Sequence, residues 1–242
     1  MKPLILAVCI AAGTTAYTQE PPVGSYGQPP LPPEEIPNPV MDLAVSALTA
    51  SLRDVEPRVR QAAVFALTEM APASRSAIPV LEQTVRDPDA YIRIDAAHAL
   101  YKLGQPSVPS LVRLLRDGDP RIRELAARTL LEMGDRAAEA IPALIQRLGD
   151  IEPRVRQAAV LALTEMGKVA RSAIPALAST MRDPDSFVRI DAAHALAQLG
   201  PESIPSLVGL LQDNDERVRE LTAETLREIA AETLSGTDKG RR

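Results

Sequence analysis

Residues 114–130 read LLRDGDPRIRELAARTL, and this stretch decides the fold. It starts with the apolar end of one segment and passes through a loop that contains Asp117 and Asp119. Pro120 follows, at a place where the first turn of a helix tolerates proline. After Pro120 the apolar residues recur at helical spacing. The stretch therefore predicts the end of one helix, a short loop and the start of a second helix.

The same pattern occurs six times along the chain. The loop aspartates are Asp54, Asp87, Asp117, Asp150, Asp183 and Asp213, and an arginine follows each of them at Arg60, Arg93, Arg123, Arg156, Arg189 and Arg219. Consecutive members of both series are 33 or 30 residues apart. A longer period of 96 residues is also present, since EPRVRQAAV at 56–64 returns at 152–160 and RIDAAHAL at 93–100 returns at 189–196. The chain thus contains six units, built as a triplet that was duplicated once.

Each unit is predicted to form two helices. The first helix opens near a serine that is followed by proline, and the second opens near an aspartate or glutamate, as at Asp89 or Glu56. Gly104, Gly134, Gly167 and Gly200 follow second helices, where a left-handed cap is expected. A helix pair with two apolar faces cannot bury them alone, so neighbouring pairs must stack. We predict an all-α fold, an α-solenoid of six helix pairs over residues 40–234, followed by a flexible tail at 235–242.

The unit pattern Leu-Leu-x-Asp-x-Asp-x-x-[Val/Ile]-Arg-x-x-Ala-Ala-x-x-Leu resembles the short HEAT-like repeat typified by phycobilisome lyase subunits. The resemblance covers about residues 40–234. It implies an armadillo-type superhelix in which the second helices line the concave surface. It also implies that a ladder of aspartate and arginine residues has a structural role.

The six arginines themselves call for such a ladder. Each is predicted to lie in the first turn of a second helix, where it faces the positive end of the helix dipole. A repeated misfit of this kind requires a compensating partner, and the loop aspartate of the same or the adjacent unit is the obvious one. We therefore expect the six aspartates and six arginines to pair.

Composition excludes several classes of function. The 242 residues carry a formal net charge of -5 and contain four Tyr, two Phe and no Trp. Nucleic-acid binding requires a basic surface and stacking rings, so it is not expected. One Cys and two His cannot supply a Cys/His zinc site or a disulfide framework, and we predict no metal and no cofactor.

The two histidines are the main candidates for chemistry. His98 and His194 lie three units apart, roughly 30 Å in a stack of helix pairs, so they cannot share a metal. Asp95 and Asp191 precede them by three residues, which allows an Asp–His contact within each helix. Nothing is spaced to complete a catalytic set, and no catalytic residue is predicted.

The helix position that holds the histidines indicates a binding surface instead. In register across the six units it carries Phe65, His98, Arg128, Leu161, His194 and Glu224, with Tyr101 in a neighbouring column. Exposed aromatic and aliphatic side chains beside His and Arg are typical of protein-binding patches. The alternative is that Phe65 and Leu161 extend the core.

The N-terminal residues point to export. Residues 1–16, MKPLILAVCIAAGTTA, have the pattern of a signal peptide with cleavage after Ala16. Residues 6–9, LAVC, also resemble a lipoprotein box, in which Cys9 would be acylated. Residues 17–39 form a Pro-rich linker that is expected to act as an extended spacer, or alternatively as a Pro-rich ligand for a partner. The predicted location is periplasmic or extracellular, with membrane attachment only through a lipid on Cys9.

Together these observations predict a non-catalytic, exported, monomeric scaffold. It would bind an unidentified protein or peptide on the concave face of the array. The resemblance leaves a second hypothesis, a bilin-lyase-like enzyme subunit or a chaperone that acts on a tetrapyrrole-carrying protein. A purely structural component of an envelope assembly is the third.

Overall fold

The computed structural model describes residues 39–71 and 73–239. Within them, twelve α-helices form six successive pairs. The first helices of the pairs are α1 (Pro39–Ser51), α3 (Ile78–Thr84), α5 (Val108–Leu114), α7 (Ile141–Arg147), α9 (Ile174–Thr180) and α11 (Ile204–Val208). The second helices are α2 (Pro57–Glu69), α4 (Ala90–Leu103), α6 (Pro120–Met133), α8 (Pro153–Glu165), α10 (Ser186–Leu199) and α12 (Glu216–Lys239).

The second helices start where the acidic residues predict. Asp89, Asp119 and Asp185 are N-caps whose side chains accept the backbone N–H two residues further on. Glu56 and Glu152 occupy the same position in α2 and α8 without a side-chain cap, and proline takes the first helical position there. Proline lacks an N–H and has a helical φ, so the missing cap costs these helices little.

Glycine ends the second helices because the chain adopts a backbone conformation that other residues avoid. Gly104 has φ 71° and ψ -147°, and Gly134, Gly167 and Gly200 also have positive φ. After Gly104 and Gly200, a buried serine side chain anchors the connector to the preceding helix. Ser107 and Ser203 each donate to a carbonyl near the end of the preceding helix, Leu100 O at 2.6 Å and Leu196 O at 2.8 Å. These bonds satisfy carbonyls that a helix end leaves unpaired.

The core runs through the whole stack. The central leucines of both helix series have no exposed surface: Leu67, Leu100, Leu130, Leu163 and Leu196 in the second helices, and Leu81, Leu111, Leu144, Leu177 and Leu207 in the first helices. Small residues such as Ala96, Ala126 and Ala159 lie buried beside them and let neighbouring helices approach closely. Each pair therefore completes the core of its neighbours, and the predicted all-α solenoid of six pairs is confirmed.

The ends of the array differ from the predicted limits. The first described helix begins at Pro39, and α12 continues to Lys239, so that residues 235–239 extend a helix where a flexible tail was expected. The predicted signal peptide at 1–16, Cys9 and the linker up to residue 38 lie outside the described residues. In the part of the chain that is described, no helix combines the length and apolar character needed to cross a membrane.

Candidate protein-binding surface

The six first-turn arginines are held by backbone carbonyls of their own unit. Arg123 Nη1 donates to Asp117 O at 2.9 Å and Gly118 O at 3.2 Å, and the five other arginines make the same pair of bonds. These carbonyls lie just beyond the first helix of each pair. The guanidinium thus binds carbonyls at the negative end of one helix dipole, which offsets its position at the positive end of the next.

The carboxylate partner comes from the next unit, and only at some junctions. Where the aspartates are 33 residues apart, the arginine makes two bonds to the following loop aspartate. The pairs are Arg60–Asp87, Arg123–Asp150 and Arg156–Asp183, with shortest distances of 2.6, 2.7 and 2.6 Å. The side chains of the last two pairs are at most 9% exposed. These buried contacts join the first pair to the second, the third to the fourth and the fourth to the fifth.

The expectation of one uniform ladder was wrong at the two 30-residue steps. Asp117 is bound by Arg86, with Nε 2.6 Å from Oδ2, and Asp213 is bound by Arg182. Both arginines lie in the preceding loop and are about half exposed. At these steps the connectors before the first helix are short, Gln105–Ser107 and Gly200–Ser203, whereas Gly134–Ala140 and Gly167–Ala173 have seven residues. The shorter connector changes the position of the next loop relative to the arginine. Among the described residues, Arg93 and Arg189 therefore donate to backbone carbonyls and to no carboxylate.

Four of the loop aspartates have pKa values below the ordinary value because of the hydrogen bonds that they accept. Burial alone would raise the pKa of Asp150, but the hydrogen bonds from Arg123 and from the N–H of Glu152 hold that pKa below its ordinary value. The pKa values of Asp87 and Asp117 are lowered against burial in the same way. The pKa of Asp213 is lowered first by the N–H of Asp215 and then by Arg182. All four carboxylates are engaged by the protein itself.

The helix position that holds the two histidines, which was predicted to form a binding surface, lies on the surface of the array. His98, Arg128 and His194 are exposed, and the side chain of Phe65 is 66% exposed. Leu161 is 36% exposed. The possibility that Phe65 extends the core is therefore wrong. We call the exposed side of the six second helices the second-helix face.

Tyr101 and the two aspartates beside the histidines have other partners than expected. Tyr101 is half-buried, with its ring 5.8 Å from that of His98 and 5.5 Å from the guanidinium carbon of Arg136. Asp95 accepts a hydrogen bond from Gln61 at 2.9 Å, and Asp191 accepts one from Gln157 at 2.8 Å. These aspartates tie adjacent second helices together, and His194 instead contacts Gln198 at 2.7 Å.

Four exposed apolar residues on this face were missed by the sequence analysis. Tyr91, Ile94, Phe187 and Ile190 are 74%, 56%, 69% and 54% exposed. They lie one and two turns before the histidines of α4 and α10. The signal was present in the sequence, because 91 and 94 recur as 187 and 190 after the 96-residue period. At Tyr91 and Phe187, near the start of a helix, capping and exposure produce similar sequence patterns.

Tyr91 and Phe187 belong to a regular row. The second residues of the six second helices are Arg58, Tyr91, Arg121, Arg154, Phe187 and Arg217, all of them exposed. We call this the Arg–aromatic row. In the described part of the chain, its four guanidinium groups form no ion pair. Each aromatic residue is thus flanked by an unpaired arginine on both neighbouring helices.

A groove opens on the second-helix face between α4 and α6. Its volume is about 460 Å³, and its lining includes Ile94, His98, Arg121, Glu124 and Arg128. Apolar wall, guanidinium groups and carboxylates thus lie side by side, an arrangement suited to binding an amphipathic segment. Among the described residues, no group of three or more His, Cys, Asp or Glu side chains could hold a metal ion.

Comparison with known proteins places this geometry in a family. The family model described as HEAT repeats matches residues 45–130, 108–196 and 141–227, which together span well over half of the chain. The chain belongs to the HEAT-repeat family. None of the curated proteins compared with it by sequence is significantly similar.

Solved structures similar to this HEAT array are helical repeat proteins. An engineered protein has 24% identity and a TM-score of 0.50, with 77% of this chain and 96% of that chain covered. A set of computationally designed armadillo repeat proteins for modular peptide recognition has 17% identity and a TM-score of 0.51, with coverages of 76% and 99%. The complex of CpcE and CpcF of phycocyanin lyase from Nostoc sp. PCC7120 has 28% identity and a TM-score of 0.48, with coverages of 83% and 80%. The first two likenesses describe the fold.

The two triplets of the HEAT array differ mainly outside the second-helix face. Exposed first-helix and loop positions have changed between the triplets, as in Gln83 and Ser179, Arg113 and Gly209, and Arg116 and Gln212. More of the second-helix positions are the same, as in Arg58 and Arg154, Ile94 and Ile190, His98 and His194, and Arg121 and Arg217. Phe65, Tyr101 and Arg128 are exceptions, since Leu161, Ala197 and Glu224 replace them. Exposed residues contribute little to the core, both on the first helices and loops and on the second helices.

Proposed function

We propose that this protein is an exported, non-catalytic scaffold that binds a protein or an extended peptide on its second-helix face, the face expected to be concave. The observation that carries the proposal is the exposure of Tyr91, Ile94, Phe187 and Ile190 beside unpaired arginines. The HEAT repeat itself is a scaffold consistent with protein binding.

Exposed aromatic residues favour binding on energetic grounds. A Tyr or Phe side chain can bury roughly 150–250 Å² when it enters an interface. Tyr and Arg are also enriched among the residues that contribute most to protein–protein affinity. Tyr91 with Arg58 and Arg121 has this composition, and Phe187 with Arg154 and Arg217 repeats the aromatic–arginine arrangement.

The ionisable groups give no support to catalysis. Catalytic groups are typically found where a perturbed carboxylate or amine faces a cleft. The carboxylates with lowered pKa here are Asp87, Asp117, Asp150 and Asp213 in the loops and Glu82 on α3, and each of them is bound by an arginine. The groove between α4 and α6 contains none of the five.

Site-specific photo-crosslinking in the native host tests which face is used. A photoreactive residue is placed at Tyr91, Ile94 or Phe187 on the second-helix face, and at Gln83, Arg116 or Ser179 on the first-helix side as matched controls. We expect one adduct of the same mass from the three second-helix positions and none from the controls. Equal yields from both sets, or adducts from the controls alone, would contradict the proposed surface.

Export is the second part of the proposal, and it rests on the sequence of residues 1–16. The intact mass of the protein isolated from its native host tests it. Loss of residues 1–16 supports a soluble exported form, and a diacylglycerol-modified Cys9 at the new N-terminus supports a lipid-anchored one. An unprocessed chain would contradict export.

A further inference from the structure

We infer that the second-helix face carries two corresponding sites, one in each triplet, which together bind an extended segment with two apolar residues that are each flanked by carboxylates. This inference rests on the proposed binding function and specifies the partner's chemistry. Site 1 consists of Tyr91, Ile94, His98, Arg121 and Glu124, and site 2 consists of Phe187, Ile190, His194, Arg217 and Glu220.

The two sites are equivalent by position and by exposure. Each member of site 2 lies 96 residues after its counterpart in site 1. The aromatic residues are 74% and 69% exposed, and the isoleucines are 56% and 54% exposed. An exposed aromatic ring and an exposed isoleucine are thus present at both places in the array, with nearly equal exposure.

The neighbouring second helix keeps both sites in the same setting. Gln61 on α2 binds Asp95 beside site 1, and Gln157 on α8 binds Asp191 beside site 2. Both sites also lie at a 30-residue step, where the first-turn arginine of the helix is bound by carbonyls of its own loop. The duplication therefore preserved the glutamine–aspartate contact and the loop geometry beside both sites.

Charge complementarity identifies the partner as acidic. Four carboxylates near site 1 have partners within the protein: Asp89 with the N–H of Tyr91, Asp95 with Gln61, Asp119 with the N–H of Arg121, and Glu124 with Arg128 at 3.7 Å. Glu132, which also lines the groove, forms no ion pair among the described residues. The guanidinium groups of Arg58 and Arg121 on either side of Tyr91 are unpaired within the described residues. A guanidinium binds a carboxylate through two parallel hydrogen bonds, so an apolar residue between carboxylates fits an aromatic ring between arginines.

Site 2 has a weaker version of the same chemistry. Arg154 and Arg217 flank Phe187, but Glu224 stands where site 1 has Arg128. An additional carboxylate at this position repels an acidic segment. We therefore expect site 1 to bind such a segment more tightly than site 2.

The spacing of the sites sets the spacing of the partner's apolar residues. Three helix pairs at about 10 Å each separate the sites by roughly 30 Å. An extended chain advances about 3.3 Å per residue, so the two apolar residues lie about nine residues apart.

Calorimetric titration of the full chain with synthetic peptides tests the inference. One probe carries a single Glu-Leu-Glu block, and the second carries two such blocks with their leucines nine residues apart in a Gly/Ser spacer. We expect two molecules of the first probe, or one of the second, to bind each chain. For site affinities near 0.1 mM and an effective concentration near 1 mM, the second probe should bind about tenfold more tightly. Probes with Lys-Leu-Lys blocks, or with the leucines four residues apart, should lack this gain.

Variants assign the two binding events to the two sites. Tyr91→Ala and Phe187→Ala should each reduce the stoichiometry of the single-block probe to one and abolish the tenfold gain. Gln83→Ala on the first-helix side is the matched control and should change neither. Circular dichroism of each variant establishes that the array is folded.

Several results would overturn the inference. A single-block stoichiometry of one in the unmodified chain would exclude two sites, as would an unchanged titration of Phe187→Ala. Absence of binding by both acidic probes would exclude the acidic partner. Binding that appears only after Glu34→Gln and Glu35→Gln would assign the sites to the chain's own N-terminal segment. None of these results alters the outcome of the crosslinking experiment, which decides the proposed function separately.

Discussion

Replacing Asp150 with alanine removes the carboxylate at the junction between the third and fourth helix pairs. Asp150 accepts two bonds from Arg123 on α6, at 2.7 and 2.8 Å, and one from Arg147 at 3.1 Å. It also accepts the N–H of Glu152 at 3.1 Å, which fixes the loop before α8. The side chains of Asp150 and Arg123 are 2% and 9% exposed. The substitution therefore leaves a nearly buried guanidinium without its counter-charge.

The expected loss of stability follows from that burial. Removing one partner of a buried pair costs about 3–5 kcal/mol. Arg123 keeps its bonds to Asp117 O and Gly118 O, so we expect the lower part of this range, about 3 kcal/mol. For an array of this length, such a loss lowers the Tm by roughly 6–12 °C.

Urea and thermal unfolding followed by circular dichroism measure this effect. Glu202→Gln is the matched control, because the Arg171–Glu202 pair has a distance of 2.8 Å but side chains that are 50% and 46% exposed. An exposed pair contributes little, and the control should change the free energy of unfolding by no more than about 0.5 kcal/mol. The double variant Asp150→Ala with Arg123→Met no longer buries a lone charge and should recover part of the loss. If Asp150→Ala were no more destabilising than Glu202→Gln, the argument that burial gives this ion pair its importance would be refuted.

Two further predictions concern pH and glycine. Asp87, Asp117 and Asp150 have pKa values below their unfolded value of about 3.9, so unfolding takes up protons in acid. The urea midpoint should therefore be constant above about pH 5 and fall below about pH 4. A midpoint that rises on acidification would contradict the direction of these pKa shifts. Gly104→Ala should cost about 1–3 kcal/mol through its positive φ alone, since an added Cβ meets no atom within 4 Å. Gly209→Ala, at φ -65° inside a short helix and with equally open space, should be neutral or slightly stabilising in the same thermal unfolding assay.

The sequence was sufficient for the fold because every unit repeats the same local instructions. Pro120 and Asp119 define the start of α6, and Gly134 defines its end, in the places where the structure has them. The spacing of Leu67, Leu100 and Leu130 indicates which faces must stack. Local pattern and tertiary packing agree at each of these positions.

The arginine partners could not be read from the same pattern. Arg93 and Arg123 occupy the same position of the unit pattern, but the first binds loop carbonyls and the second also binds the next aspartate. The difference arises from a connector that is shorter by a few residues, and it acts through the stacking of whole helix pairs. The sequence shows that some units are 30 residues long instead of 33, but it does not show how this changes the partner of an arginine side chain.

The surface that we propose for binding was predicted only in part, for a related reason. Phe65 and His98 were correctly placed on the surface, since they stand between buried positions of their helices. Tyr91 and Phe187 lie in the first turn, where capping and exposure give similar patterns, and periodicity does not separate the two. Their role on the face becomes visible only when the six helices lie side by side.

The ion pair between Arg123 and Asp150 has a consequence for engineering. It joins the two triplets with the same geometry that Arg60–Asp87 and Arg156–Asp183 use inside them. The triplet is therefore a module with compatible ends, and removal of residues 54–149 would bring Asp150 to the position after α1 that Asp54 now occupies. Shortened or lengthened arrays can then be made in steps of 96 residues, and under the inferred two-site arrangement each step would change the number of binding sites by one.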